Sequence, residues 1–411
     1  MGLIKKSVRW RAFYSASLAI ASTLGWRGAN LDPNHLLKVA SKKTGLDDFG
    51  SGNFLEPMQH LIQDFLHHNH PDTLGKVILK QLLSSCLEKR LYLTQILKTN
   101  PAINNVPISA PLFVIGLPRT GTTFLQGLLS QVESFRPLLN WETHQLPVPL
   151  CQATPQQIQF QIKKAQGEYD GLIKLVPDIL SAHELGASEP EECNPFLMSS
   201  FHTMFFAIFF YPKTYEEYLA KLKTNDSFQW HKKHLQALSF NLPEKIWSLK
   251  SPIHLQTLGP LLDTYPDARI IFTHRTPLEC IPSMISLKSM LSMLCLPRQE
   301  DPSIMGERTT EFILQMVESG YKVRDEWPSH AKPFLDVTYK NLVQNPIETV
   351  RRILVHFDIP VPNNLDEKLQ DYLAKKKQHR FGAHKYSLAD FNLKESDIRK
   401  KFEREFSLAG D

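Results

Sequence analysis

The stretch "FVIGLPRTGTTFLQGLL", residues 113–129, decides how this sequence folds. It begins with a short apolar run typical of a buried strand and ends with leucines at helical spacing. Between a strand and a helix, several backbone N–H groups and the positive end of the helix dipole converge on one point. Gly121 lets the backbone approach a ligand closely, and Thr122 and Thr123 add hydroxyl donors. The stretch therefore predicts a loop that binds an anionic group.

This loop differs from that of nucleoside triphosphatases. The glycine spacing fits G-x-x-x-x-G-K-[ST], but Thr122 stands where the lysine is required, and the cation of the loop is Arg119. A triphosphatase also needs an acidic residue at the end of a neighbouring strand to hold Mg²⁺. Two later strand-like runs end instead in Lys250 and Arg275. We therefore expect protein cations to neutralise the anion, and we predict no metal.

Four β-branched and apolar runs, residues 111–116, 245–250, 268–275 and 333–339, predict strands separated by helices. A helical pattern between the second and third runs predicts a crossover, and hence parallel pairing. The expected fold is α/β, with a P-loop-like, doubly wound parallel sheet flanked by helices and a ligand at the carboxyl ends of the strands. We expect residues 1–100 to form a helical N-terminal region packed on the main domain. We expect residues 101–411 to form that domain, with a helical acceptor-side insertion around 142–245.

Composition narrows the class of protein. A net charge of +5 over 411 residues gives no support for nucleic-acid binding but permits a small anionic ligand. Five cysteines without C-x-x-C spacing indicate neither a zinc site nor a disulfide framework, and they favour a reducing, cytoplasmic compartment. Residues 5–25 combine basic and small apolar side chains, which favours a basic amphipathic helix over a signal peptide. Such a helix packs on the domain or rests on a membrane surface.

A second anion contact is predicted in "THRTPLECIPSMIS", residues 273–286. Arg275 ends a predicted strand, and Ser283 lies two turns into the following helix. An arginine can bind an oxyanion through two parallel hydrogen bonds, and a serine can donate a further one. An arginine at a strand end is also a common partner in surface ion pairs, so that interpretation stays open.

Together, the two segments resemble the superfamily of sulfotransferases that use 3′-phosphoadenosine 5′-phosphosulfate (PAPS). In that family a strand, loop and helix hold the 5′-phosphosulfate, and an arginine and a serine eight residues apart hold the 3′-phosphate, the spacing of Arg275 and Ser283. The loop "PRTGTT" is similar to that of tyrosylprotein sulfotransferases and of bacterial-type sulfotransferase family proteins. Matches at 44–50, 249–255, 336–346 and 384–393 extend the resemblance over nearly everything after residue 30.

The resemblance implies roles for individual residues. The phosphosulfate loop would comprise Arg119, Thr120, Gly121, Thr122 and Thr123. Lys250 would contact the bridging oxygen of the leaving nucleotide, and Tyr339 would lie beside the nucleotide. Glu142 stands near the position of the general base in the tyrosylprotein enzymes, and His254 is the rival base. The family's glycine-rich nucleotide loop is poorly matched at residues 375–386, where Arg380 or Lys385 would contact the nucleotide.

The expected activity is PAPS-dependent transfer of a sulfuryl group to a hydroxyl acceptor, by in-line displacement without a metal. A carboxylate would take the acceptor proton. The acceptor would be a small molecule or a peptide. The aromatic stretch at 201–212 forms either part of its pocket or plain core, and residues 183–196 could gate the cleft. Two alternatives remain: a catalytically inactive nucleotide-binding protein of the same fold, and a P-loop kinase.

Overall fold

The computed structural model describes residues 17, 28–144, 146, 148–176, 179, 186–222, 226–327, 334–375 and 387–410. Apart from Ser17, the predicted N-terminal amphipathic helix lies outside these residues. Arg380 and Lys385 also lie outside them, so their predicted nucleotide contacts stay predictions.

Five parallel strands form one sheet in the order β2-β3-β1-β4-β5. The strands are β1 Leu112–Gly116, β2 Phe135–Pro137, β3 Ile246–Lys250, β4 Arg269–His274 and β5 Phe334–Thr338. Four of them confirm the predicted runs and the α/β fold. The short β2 was not predicted, because three residues are too few to display an alternating pattern. Val114 pairs with Lys250 on one side and with Ile271 on the other, so β1 is the central strand.

Helices surround the sheet. Before it come α1 Pro33–Thr44, α2 Leu55–His68 and α3 Thr73–Thr99; within the α/β region follow α4 Thr122–Leu129, α5 Pro155–Leu175, α6 Asn194–Leu197, α7 Tyr215–Lys221, α8 Ser227–Ser239, α9 Leu258–Thr264, α10 Pro277–Cys295 and α11 Pro302–Glu326. The C-terminal part contains α12 Tyr339–Gln344, α13 Pro346–His356, α14 Leu365–Lys375, α15 Glu395–Lys401 and α16 Glu403–Ala409. The helix α1 is capped at both ends, because the Asp32 side chain accepts from the His35 N–H and Gly45 ends the helix at φ 72°.

The strands alternate their side chains between two apolar layers. Phe113 and Ile115 of β1 pack in the larger layer, which also contains Met58 of α2 and Leu83 of α3. Leu112 and Val114 face the opposite layer, together with side chains of α4, α13 and α14. The N-terminal helices therefore share a core with the sheet.

The helix α10 has the length and apolar composition to cross a membrane, the one such helix in the described part of the chain. However, 56% of its apolar window is buried within the fold. The helix packs against α3 and α11 and carries residues of the larger apolar layer. These contacts account for its apolar composition.

Candidate active site

The loop between β1 and α4 has a backbone that only particular residues can adopt. Gly116 has φ 151°, and a Cβ at this position would overlap the side-chain and carbonyl oxygens of Thr273 on β4. Gly121 has φ 85° and begins α4. Arg119 also has a positive φ, 75°, which is uncommon for a residue with a side chain. The loop is therefore held in one shape by its neighbours.

Thr120 contributes to this shape. Its hydroxyl donates to the Leu117 carbonyl (2.7 Å) and lies 2.6 Å from the Thr273 hydroxyl. The side chain is fully buried and does not line the cavity described below. Its predicted place in the loop is observed, but its side chain supports the loop from beneath.

A cavity of about 590 Å³ opens beside this loop at the carboxyl ends of β1, β3 and β4. This size is typical of small-molecule sites. Several of the predicted binding residues line its wall, namely Arg119, Gly121, Thr122, Thr123, Arg275 and Tyr339. The remaining wall is mostly apolar and comes largely from the 3₁₀ segment Met204–Ile208 and from α10 and α11. Within residues 201–212, part of the stretch lines this cavity, while Phe201, Phe206 and Phe210 are core.

The two predicted anion-binding segments meet around Arg119. The Arg119 Nε donates to the Ser283 Oγ on α10 (3.1 Å), and the Arg275 Nη1 donates to the Arg119 carbonyl (3.0 Å). The Arg275 guanidinium lies 4.1 Å from the ring centroid of Tyr339 and also pairs with Glu279. Cations and hydroxyls from separate elements are therefore fixed at one end of the cavity.

Lys250, at the end of β3, connects the loop to an acidic residue that the sequence analysis did not select. The fully buried Lys250 Nζ donates to the Glu192 Oε1 (2.7 Å) and to the Thr123 Oγ1 (3.3 Å). The other Glu192 oxygen accepts from Asn194, whose own oxygen accepts from the Ser251 hydroxyl (2.9 Å). Glu192 lines the cavity, and its side chain is 18% exposed. A carboxylate and an ammonium thus lie side by side next to the anion-binding loop.

Glu142, the predicted base, lies elsewhere. It is buried in the 3₁₀ helix Asn140–Thr143, where its carboxylate accepts from Arg136 (2.7 Å) and from the Leu139 N–H (2.9 Å). Burial raises the pKa of Glu142, and Arg136 acts in the opposite direction. Glu142 is not among the described residues that line the cavity, and its role as the base stays a prediction. Its contacts are those of a residue that fixes the loop after β2.

His254, the rival base, also points away from the cavity. The 3₁₀ helix Pro252–Leu255 turns its ring into the core, in edge contact with Phe113 (5.4 Å between centroids) and near Phe228. Neither ring nitrogen has a hydrogen-bond partner among the described residues, and burial lowers the pKa of His254 well below its usual value. His254 is likewise not among the described residues that line the cavity, and its role as the rival base stays a prediction.

Comparison with known proteins decides the family. The sequence model of the Sulfotransferase family matches residues 111–363, which is more than half of the chain. The chain belongs to the sulfotransferase family. This confirms the resemblance found in the two anion-binding segments, and it identifies the activity as transfer of a sulfuryl group.

Individual relatives agree with this sulfotransferase in sequence and fold. The omega-hydroxy-beta-dihydromenaquinone-9 sulfotransferase Stf3, found in Mycobacterium bovis and in Mycobacterium tuberculosis, is 24% identical over 340 residues, or 78% of this chain and 81% of the relative. The crystal structure of STF1 from Mycobacterium tuberculosis superposes with a TM-score of 0.78 at 27% identity, covering 90% of this chain and 97% of STF1. STF9 from Mycobacterium avium has the same fold, with a TM-score of 0.80 at 23% identity over 91% and 95% of the two chains.

A buried network of charged side chains supports the end of β4, just before Arg275. His274, the last residue of β4, lies 2.8 Å from Asp336 through Nε2 and 3.1 Å from Glu405 of α16 through Nδ1. Burial alone would lower the pKa of His274, but hydrogen bonds to these two carboxylates raise it to about 9. Glu405 also accepts from the Tyr321 hydroxyl. The imidazolium therefore ties the C-terminal helix to the sheet edge beside the site.

We expect this network to make the free energy of unfolding fall as the pH rises from about 6.5 to about 9. The folded-state pKa of His274 lies above the unfolded value, so its contribution is complete below the unfolded pKa and is lost as the pH passes the folded one. The contribution amounts to at most about 3 kcal/mol. Urea unfolding of the wild type and of His274→Gln on both sides of this window measures it. Equal pH dependence in the two proteins would contradict the assignment.

Proposed function

We propose that this sulfotransferase takes its sulfuryl group from PAPS and transfers it to a small-molecule hydroxyl acceptor by metal-free in-line displacement. The observation that carries the proposal is the Lys250–Glu192 pair beside the anion-binding loop, with Glu192 in the wall of a cavity of about 590 Å³. The pair supplies a proton acceptor and a cation at one place. These are the two groups that sulfuryl transfer between oxygens requires.

The donor end of the cavity suits a nucleotide with two anionic groups. Arg119, Thr122, Thr123 and the backbone around Gly121 would hold the 5′-phosphosulfate. Arg275 and Ser283 would hold the 3′-phosphate. Ser283 accepts a hydrogen bond from Arg119, which links the two proposed anion contacts. Tyr339, already stacked on Arg275, would lie beside the nucleotide.

Lys250 and Glu192 would then have different roles in the transfer reaction. The Glu192 carboxylate would take the proton from the acceptor hydroxyl, while the Lys250 ammonium would stabilise negative charge on the bridging oxygen of the departing nucleotide. In this proposal Glu192 replaces Glu142 and His254 as the base, because Glu192 lines the cavity and the other two do not. Asn194 holds the second oxygen of Glu192 and so orients the carboxylate.

Two observations indicate that the acceptor is largely apolar. The relative Stf3 is named for an omega-hydroxy-beta-dihydromenaquinone-9 acceptor, which carries its hydroxyl on an apolar molecule. The acceptor end of the present cavity is likewise apolar, with Phe312 and Met316 of α11 in its wall.

All five cysteines are free thiols, which supports a cytoplasmic setting.

Nucleotide binding and product formation test the proposal together. We expect 3′,5′-diphosphoadenosine, the desulfated form of PAPS, to stabilise the protein by about 2.7 kcal/mol at a hundredfold excess over its Kd. Arg119→Ala should abolish this stabilisation, and Mg-ATP should not reproduce it. Mass spectrometry of a cell extract incubated with the protein and labelled PAPS should then reveal a species heavier by one SO₃ group.

Two outcomes would support the alternatives. Stabilisation by Mg-ATP and not by the diphosphoadenosine would indicate a kinase. Nucleotide binding without consumption of PAPS in any extract would indicate a binding protein that has lost its activity.

A further inference from the structure

The acceptor end of the cavity has an apolar wall built by three elements. The 3₁₀ segment Met204–Ile208 contributes Phe205 and Ile208, and α10 contributes Met284 and Leu287. Phe312 and Met316 of α11 complete it, one helical turn apart on the same face. Such a wall binds the apolar body of a ligand by excluding water.

Two polar side chains interrupt this wall on neighbouring helices. Lys288 of α10 and Thr309 of α11 both line the cavity, and they are only 9% and 1% exposed. The Thr309 hydroxyl has no hydrogen-bond partner among the described residues. Thr309 shares a helix face with Phe312 and Met316, and Lys288 shares one with Met284. Both residues therefore belong to the wall of the acceptor end, and the Thr309 hydroxyl is buried at that wall.

The Lys288 ammonium also lacks an anionic partner in direct contact. Within the described ranges, no carboxylate lies within ion-pair distance of its Nζ, which lies 5.0 Å from the ring centroid of Tyr211. The neighbouring Arg308 is already neutralised by Glu300 at 2.7 Å. Burial lowers the pKa of Lys288 to about 8, and the nearby charge of Glu216 opposes that shift. At neutral pH the ammonium is therefore mostly protonated, although it is largely removed from water.

An unpaired buried ammonium is unfavourable unless something binds it. We propose that Lys288 and Thr309 form a subsite for a carboxylate carried by the acceptor, whose apolar body lies along Phe312 and Leu287. The acceptor is then an amphiphile with a hydroxyl at one end and a carboxylate at the other. This inference rests on the proposed function, which places the donor nucleotide at the opposite end of the cavity.

The helix α10 sets the distance between Lys288 and the donor end of the cavity. Ser283 contacts Arg119 at the donor end, and Lys288 follows five residues later on the same helix. Five residues correspond to about 7.5 Å along a helix axis. Lys288 therefore lies away from the donor end, on the helix that also carries Met284 and Leu287 of the apolar wall.

Calorimetric titration of the full chain with dodecanoate and with dodecanol, in the absence and presence of 3′,5′-diphosphoadenosine, tests this subsite. We expect dodecanoate to bind about tenfold more tightly than dodecanol, because it adds a charge-assisted hydrogen bond. Lys288→Met should remove this preference and leave dodecanol and nucleotide binding unchanged. Thr309→Val should weaken dodecanoate alone, whereas Phe312→Ala should weaken both probes and serves as the matched control.

Several results would overturn the subsite. Equal affinity for the two probes, binding of neither, or a preference that survives in both Lys288→Met and Thr309→Val would each do so. A purely structural role of Lys288 against Tyr211 predicts loss of thermal stability without any change in probe preference. Failure of the diphosphoadenosine to bind would refute the proposed function separately, since the probes are also titrated without it.

Discussion

Glu192→Gln is expected to lower kcat for sulfuryl transfer by about 10²–10⁴-fold, the usual contribution of a positioned general base. Glutamine keeps the size of the side chain and one carbonyl oxygen that Lys250 can bind, but it cannot take a proton from the acceptor. Its amide nitrogen would face either Lys250 or Asn194, both of which are donors. One of these hydrogen bonds is therefore also lost. Steady-state turnover of labelled PAPS measures the effect, and binding of 3′,5′-diphosphoadenosine should be unchanged.

The matched control is Glu142→Gln, which changes the carboxylate predicted from the sequence. This residue holds Arg136 and the Leu139 N–H in a buried loop. Its substitution should lower the unfolding temperature and leave kcat within a few-fold of the wild type. The reverse pattern, with turnover lost in Glu142→Gln and retained in Glu192→Gln, would restore Glu142 as the base and refute the assignment made here.

Lys250→Met should lower kcat by about 10²–10³-fold, the typical cost of removing one donor from developing negative charge. Methionine retains most of the buried apolar volume of the lysine stem, so the sheet should stay intact. The ammonium that contacts Glu192 and Thr123 is lost, and with it a cation next to the proposed base. Because Lys250 is fully buried, bulk solvent would not replace it. Turnover at saturating PAPS, with nucleotide affinity measured separately, distinguishes a loss in kcat from a loss in binding.

Lys245, just before β3, provides the control for Lys250. Lys245 is exposed, so Lys245→Met should leave both turnover and nucleotide binding unaltered. Full activity in Lys250→Met would contradict the proposed stabilisation of the bridging oxygen and would assign that task to Arg119.

The parts of the fold that follow from local sequence patterns were predictable. The buried strands and the glycines of the β1–α4 loop are encoded within a few residues, and the structure contains them where predicted. The approach of Arg275 and Ser283 to the same loop could also be predicted, because the first turns of α10 fix the spacing between the two residues.

The position of Glu192 beside Lys250 could not be predicted from local sequence patterns. Glu192 follows the loop by about seventy residues in the chain, and it reaches Lys250 only through tertiary contacts made by the segment after α5. Its only local signal was the acidic pair Glu191–Glu192 in a stretch already suspected of bordering the cleft. The orientation of the His254 ring could not be predicted for a related reason. The 3₁₀ helix after β3 turns the ring toward Phe113 of β1, and residue spacing does not reveal this orientation.

One backbone contact has a consequence for how such enzymes diversify. The Cys193 N–H donates to the Lys250 carbonyl (3.0 Å), so main chain fixes the register between the acidic residue and the cation regardless of nearby side chains. The apolar wall, in contrast, is carried by α10, α11 and a separate 3₁₀ segment. Substitutions on those elements can therefore change which alcohol is accepted while the proton-transfer apparatus is inherited intact.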